Sequence, residues 1–331
     1  MVETTAPTQA DEKLPTKPAV GKHGGYERLL AAARAAAPVR MAVVHPCSTE
    51  ALEAAIEARA EGLIEPLLVG PEMRLRALAA DGRIDLTGIE IVATEHSHAS
   101  ATMAVALVRA GRAAALMKGS LHTDELLHAI LDKESGLRTQ RRVSHVFLLD
   151  VPSYPRPLMI TDAAVNIYPT LADKCDIVQN AIDLAHSIGN AQPRVAILSA
   201  VETVNPDIRS TIDAAALCKM AERGQIVGGL HDGPLAFDNA VSPEAARIKG
   251  ITSAVAGVAD ILVVPDLEAG NMLVKQLTFL ADADSAGIVL GARVPIVLTS
   301  RADSVRNRLA SVALGVLLVH ARSQSQPAVR P

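Results

Sequence analysis

Five times along the chain a short apolar run of strand length precedes a longer segment with helical periodicity, and this alternation restricts the fold more than any other feature. The pairs are Arg40 to His45 before Thr49 to Ala60, Ala113 to Met117 before Asp124 to Leu131, and Arg194 to Ser199 before Pro206 to Arg223. Ala259 to Pro265 before Asn271 to Leu280 and Val294 to Thr299 before Ser304 to His320 complete the set. Strand followed by helix, repeated, is the pattern of mainly parallel sheets covered by helices. In the third pair, Pro206 predicts the helix start, because proline is tolerated where the first N–H has no partner anyway. Ile208, Ile212, Ala215, Ala216 and Met220 then share one face, and Gly224 ends the helix.

The chain has 331 residues, enough for two domains. Only 2% of residues are aromatic although 49% are hydrophobic, so the core is built from Ala, Val, Leu and Ile, which argues against an aromatic platform for stacking bases. The net charge is −4 and the 32 basic residues form no dense block, which argues against a nucleic-acid partner. The most apolar run, Leu309 to Val319, contains Ser311 and Gly315 and is too short for a membrane span; it predicts a buried helix. Met1 to His23 lacks the apolar core of a signal peptide and reads, within residues 1–24, as a flexible tail. Cys47, Cys175 and Cys218 are odd in number and far apart, which favours a reducing, cytoplasmic setting over a disulfide framework.

No GxGxxG or GxxxxGK[ST] follows any of the strands, which lowers the case for the common nicotinamide and ATP sites. Nor does any histidine spacing match HExxH. His45, His96, His98, His122, His145, His186 and His231 read as polar loop residues or hydrogen-bonded core histidines, and no bound metal is expected.

In open α/β sheets ligands sit beyond the carboxyl ends of strands, where loops enter helix N-termini. Three such loops carry chemistry. Met117 to Thr123 contains Gly119, which permits close backbone approach, with Lys118, Ser120 and Thr123 as donors to an anion; a turn with a helix cap explains it equally well. Pro265 to Asn271 places Asp266, Glu268 and Asn271 at a strand end, where they orient a ligand, hold a metal or cap a helix. The loop from Thr299 to Ser304 is the most informative. It sets a hydroxyl, a guanidinium and a carboxylate (Ser300, Arg301 and Asp303) at the start of an apolar helix, and a planar guanidinium matches phosphate bidentately.

Taken together, the loops resemble those of the phosphate acetyltransferase and phosphate butyryltransferase family. The resemblance rests on Asp232 to Asp238, Pro243 to Ala246, Pro265 to Asn271 and the Ser300-Arg301 pair, in the family's order. Met117-Lys118-Gly119 and Gly136 to Thr139 precede them as in butyryl-type members, and the likeness covers about residues 25 to 325. It implies reversible acyl transfer between coenzyme A and inorganic phosphate, giving acyl phosphate, with acyl-CoA as substrate and no permanently bound cofactor. It also implies an isocitrate-dehydrogenase-like fold, two open-sheet α/β lobes with a cleft between them, and a homodimer. Residues 25–145 and 288–325 would form one lobe and 146–287 an inserted second lobe.

The residue roles implied by the resemblance place Ser300 at the thiol and Arg301 at the phosphoryl or acyl oxygens. Lys118, Gly119, Thr123, Arg138, Asp266, Glu268 and Asn271 are the expected substrate contacts. The chain departs from the acetyl-type pattern at Asn307, where that pattern has an aspartate base. Asp303 is the nearest carboxylate and its substitute, unless it only caps the helix. A second departure is His128 in place of an arginine, with Lys118 or the cluster Arg138, Arg141 and Arg142 as other sources of charge. Leu298-Thr299-Ser300-Arg301 is butyryl-like and points to a broad short-chain preference. The competing readings are a metal- and NAD-dependent dehydrogenase of similar fold and a noncatalytic acyl-CoA-binding protein.

Overall fold

The computed structural model describes residues 24–299 and 303–325, so the expected tail, apart from Gly24, lies outside the described residues. From the N-terminus the elements are α1 (Gly25–Arg34), β1 (Val39–Val44), α2 (Thr49–Ala60), β2 (Ile64–Gly70), α3 (Glu72–Asp81), β3 (Glu90–Ala93), α4 (Ser97–Arg109), β4 (Ala115–Lys118) and α5 (Thr123–Leu131). The middle of the chain contributes β5 (Ser144–Asp150), β6 (Leu158–Thr161), α6 (Leu171–Ser187), β7 (Arg194–Leu198), α7 (Arg209–Glu222), β8 (Leu230–Leu235), α8 (Phe237–Val241), α9 (Pro243–Ile248), β9 (Ile261–Val263) and α10 (Leu267–Leu280). The last elements are β10 (Asp284–Leu290), β11 (Ile296–Val297) and α11 (Val305–Ser325).

The strands form one hydrogen-bonded series, β3-β2-β1-β4-β11-β10-β5-β6-β9-β7-β8. The outer strands on both sides pair in parallel. In the middle, β10 is antiparallel to both β5 and β11, and β5 is antiparallel to β6. The chain therefore passes from one half of the sheet to the other through β5 and returns through β10.

Period-two alternation along the strands separates two faces. On one face, Met41, Val43, Met117, Val146, Ile288 and Val297 join Val195 and Ile261 in a core that runs across both halves under α2, α6 and α11. On the other face the core is split. Val44, Leu116, Val289 and Ile296 pack with α4 and α5, whereas Leu149, Ile160, Leu262 and Val274 form a separate cluster with α10. The helices part over β10 and β5, and that gap positions the site.

The Leu309 to Val319 run is a buried helix, as its composition indicates. Leu309, Val312, Leu314 and Val316 are in the core, and a Cβ on Gly315 would press on the Val297 side chain at 2.9 Å. The third βα pair differs from expectation. Asn205 Oδ1 accepts the Asp207 N–H, and Thr211 Oγ1 accepts the Asn205 N–H, so residues 205–208 make a turn and the helix starts at Arg209. Side-chain competition for backbone donors has displaced the proline start. Its buried face is Thr211, Asp213, Ala214 and Leu217 rather than the Ile212 stripe; Ile212 is 42% exposed. The buried Lys174–Asp213 ion pair, 2.8 Å between α6 and α7, accounts for the rotation, since both charges must be shielded together. Gly224 does end this helix, at φ 73. Among the described residues no helix is long and apolar enough to cross a membrane.

Candidate active site

Continuing the printed registers by one residue places Lys118 of β4, Leu298, Gly287 of β10 and Phe147 of β5 in one row across the sheet. Alternation turns all four toward the face where the core is split. Above them lies a cleft of about 760 Å³. Its floor includes Lys118, Phe147 and Leu298; one wall is α10 through Asn271, Val274 and Lys275. The opposite wall is the start of α5, with His122 and Thr123, and the start of α11, with Asp303, Ser304 and Asn307. A smaller pocket of about 360 Å³ adjoins it, sharing Lys118 and Thr299 and adding Gly119, Ser48 and Arg308.

Gly119 is where the β4 loop meets β1. Its N–H donates to the Val44 carbonyl at 2.9 Å, and a Cβ here would lie closer than 3.0 Å to the carbonyl oxygens of Val44 and His45. Ser120 continues the contact: its N–H and hydroxyl both donate to His45 O, at 3.0 and 2.9 Å, and its Oγ accepts the Cys47 N–H at 3.0 Å. Lys118 follows from this clamp, buried to 7% exposure with Nζ donating to the Gly119 carbonyl at 3.3 Å.

The two-residue length of β11 has a structural consequence beside the cleft. The Ser285 and Gly287 N–H groups of β10 lie beyond the end of β11, and side chains of α11 accept from them instead. Asn307 Oδ1 takes Ser285 N–H at 3.2 Å and Ser311 Oγ takes Gly287 N–H at 2.9 Å. Asn307 is thus a structural acceptor at the position of the acetyl-type aspartate. Asn307→Ala leaves a buried N–H without a partner and should cost roughly 1–3 kcal/mol. Urea unfolding measures this, and an unchanged midpoint would contradict it.

The helix cap is supplied by Ser304, whose Oγ accepts the Asn307 N–H at 3.1 Å. Asp303 lines the cleft beside that cap. Arg306 also borders the cleft, but it pairs with Asp284 at 3.0 Å and Glu27 at 3.1 Å and lies 3.5 Å over the Tyr26 ring. Burial works against its charge, and the two carboxylates outweigh that and raise its pKa. On the far wall, Asp162 is buried, which pushes its carboxyl pKa up, while N–H groups of Ala164, Val165 and Asn166 counter the effect. This carboxylate shapes the loop that brings Ala164 to the cleft, and Asn271 Nδ2 ties the same loop to α10 by donating to Ala163 O at 3.2 Å.

Of the expected site residues, Lys118, Thr123, Asn271 and Asp303 meet at the cleft and Gly119 at the adjoining pocket. Ser300 and Arg301 lie outside the described residues, between Thr299 and Asp303, both of which line the cleft. Asp266 caps α10, accepting the Ala269 N–H at 2.9 Å, and Glu268 is exposed in the same first turn. Arg138 is exposed and bridges to Ala292, past the far end of β10. None of these three lines the cleft. Arg141 pairs with Asp183, and Arg142 with Asn166 and Asp173. His128 borders a different pocket, between α4 and α5.

Sequence reasoning missed Lys275 and Phe147. Lys275 is one turn after Asn271, so helical spacing already put the two on one face. Phe147 stands on β5, and only the sheet order shows which face it takes. His145 departs from the expected hydrogen-bonded core histidine: it is fully buried, and neither ring nitrogen has a partner among the described residues.

The family model for "Phosphate acetyl/butaryl transferase" matches residues 93–316. A phosphate acetyltransferase of Rhizobium meliloti is 65% identical over 303 residues, covering 92% of this chain and 96% of the relative. A phosphate butyryltransferase of Clostridium acetobutylicum is 44% identical over 267 residues, covering 81% of this chain and 89% of that one. Among solved structures, a branched-chain phosphotransacylase from Enterococcus faecalis superimposes with a TM-score of 0.76 at 31% identity, covering 85% of this chain and 99% of the other. The chain belongs to the phosphate acetyl/butyryl transferase family and is an acyltransferase.

Proposed function

We propose that the cleft binds acyl-CoA and inorganic phosphate together and transfers a short acyl group directly between them. The observation that carries this reading is the convergence of Lys118, Thr123, Asn271 and both flanks of the Ser300-Arg301 pair on one cleft. In the direction that makes acyl-CoA, the thiol proton passes to Asp303, and sulfur attacks the acyl carbon. The bond from that carbon to the phosphate oxygen then breaks, and phosphate leaves. Ser300 orients the thiol. Arg301 holds the phosphoryl oxygens and, with Lys118, favours the thiolate and the oxyanion that forms at the acyl carbon. Asp266 works as a helix cap, and Glu268 and Arg138 stand away from the cleft, so they are assigned no substrate contact.

Coenzyme A is on this reading a substrate, with no permanently bound cofactor. Acetyl is the first candidate for the acyl group, on the name of the Rhizobium relative. We further propose the two-lobe division at 25–145 with 288–325 and 146–287, supported by the crossing of the chain at β5 and β10. A homodimer is supported by the apolar outer face of α10, where Met272, Phe279 and Leu280 are exposed. Cytoplasmic residence is supported by three free cysteines.

Release of thiol from acetyl-CoA on addition of phosphate, without metal or NAD, tests the activity; no phosphate-dependent release would refute it. In the acyl-CoA-forming direction, assayed with acetyl phosphate and coenzyme A, Asp303→Asn should lose most activity at neutral pH. It should recover as pH rises toward a thiol pKa of roughly 8.5 to 9, because the nucleophile then ionises without help. A pH–rate profile that overlays the wild type removes Asp303 as the base.

A further inference from the structure

We propose that the cavity between α6, α11 and the end of β10 is a second binding site, taking a multiply charged oxyanion (a phosphate compound or a polycarboxylate) on Arg293 and Arg322, with Arg141 beside them.

The cavity measures about 1290 Å³, against about 760 Å³ for the catalytic cleft. The two lie at opposite ends of the same elements. On β10, Asp284 borders the cleft and Leu290 borders this cavity. On α11, Asn307 borders the cleft and Arg322 borders this cavity, about 22 Å further along the helix. Leu184, Leu290 and Leu318 of its lining belong to the continuous core, so the cavity opens on the face of the sheet away from the cleft. It is a separate site, not an extension of the catalytic one.

Charge sets the class of ligand. Among the described residues Asp183 is the one carboxylate in the lining, against three arginines. Arg141 is matched, since it pairs with Asp183, and both side chains are close to half exposed. Arg293 is exposed and has no ion pair among the described residues. Arg322 is half-buried on the last turn of α11, and its Nη1 donates to the carbonyls of Ala292 and Arg293 at 3.3 and 3.4 Å. Those bonds seat the guanidinium against the backbone that carries Arg293, and they supply no negative charge. Two cations in one cavity are therefore without a carboxylate among the described residues, which calls for a ligand of two or more charges.

Burial pushes the Arg322 pKa down; Asp183 counters this and Arg141 adds to it. A guanidinium nonetheless stays charged, and its partial removal from water favours a bound anion. The planar fork matches phosphate and carboxylate oxygens alike. No Phe, Tyr or Trp is among the described lining residues, so the cavity has no surface on which a base would stack, and the charged group is the part recognised.

Calorimetric titration of the full chain with pyrophosphate and, separately, with citrate tests this. At least one should bind saturably, and acetate, with a single charge, should not at the same concentration. Whichever binds more tightly shows whether the ligand is of the phosphate or the polycarboxylate kind. Arg293→Gln and Arg322→Gln should each weaken that binding about tenfold or more, the worth of charge-assisted bonds. Asp183→Asn removes the opposing charge and should tighten it by about threefold. KM for phosphate and for acyl-CoA should stay within about twofold of wild type in all three variants, because none of these residues borders the cleft. Arg293 is exposed, so its variant carries the test if thermal unfolding shows that Arg322→Gln has lost the fold. Absence of saturable binding of either probe overturns the proposal, as does binding that the arginine variants leave at wild-type strength. A KM for phosphate that rises in step with the weakened binding overturns it too, because the anion would then be in the cleft.

Discussion

Arg301→Ala should reduce turnover by roughly 10²- to 10³-fold, the cost of losing a preorganised donor to a developing anion. The size of the effect follows from what else the cleft offers. Arg306 is committed to Asp284 and Glu27, Lys118 is buried with its ammonium against the Gly119 carbonyl, and Lys275 is exposed on α10. Arg306, the guanidinium among them, is held by Asp284 and Glu27, and the two lysines have no planar fork. Arg301→Lys should therefore recover little, because a point charge does not reproduce bidentate contact. Steady-state kinetics with phosphate and acyl-CoA measure both variants. Wild-type kinetics in the alanine variant would put Arg301 outside the reacting centre.

Gly119→Ala should be the most damaging single methyl in the site. The added Cβ meets backbone rather than the end of a flexible side chain, at Val44 and His45. To make room, β4 must move away from the end of β1. That stretches the Gly119 to Val44 and Ser120 to His45 hydrogen bonds and draws Lys118 off the cleft floor. Overpacking of this kind costs roughly 3 kcal/mol, and activity should fall with it because the floor and the loop move together. Thermal unfolding beside the activity assay reads both. A variant with wild-type midpoint and rate would mean that the clamp is not needed.

Much of the fold was legible because the strands carry continuous apolar runs and segments of helical periodicity follow them. The buried run in α11 stands in the sequence as a local pattern. The sheet order was not, since pairing of β5 with β10 joins residues more than a hundred positions apart and leaves no local trace. Lys118, Thr123, Asn271 and Asp303 line the cleft because they stand at or just after strand ends, the places where the sequence directs the search. Asp266 and Glu268 were drawn in by the same rule, but Asp266 is used by its own helix and Glu268 faces out. The turn at 205–208 shows the same limit: Asn205 and Thr211 compete for backbone groups, and nothing in the apolar spacing reports that competition. Asn307 read as a missing base; only the short β11 reveals it as an acceptor for β10. His145 looked ordinary because its close approach to Gly287, with Nε2 3.0 Å from where a Cβ would stand, is set across the sheet.

Direct transfer between two substrates held in one cleft requires that Ser300 orient the thiol and never carry the acyl group. Mass spectrometry of the intact enzyme, quenched after mixing with acetyl phosphate in the absence of coenzyme A, tests it most directly. Direct transfer predicts the unmodified mass, because without thiol the acyl group has no acceptor. A stable adduct of acetyl mass on Ser300 would contradict it and replace the single transfer with a two-step path through an acyl-enzyme.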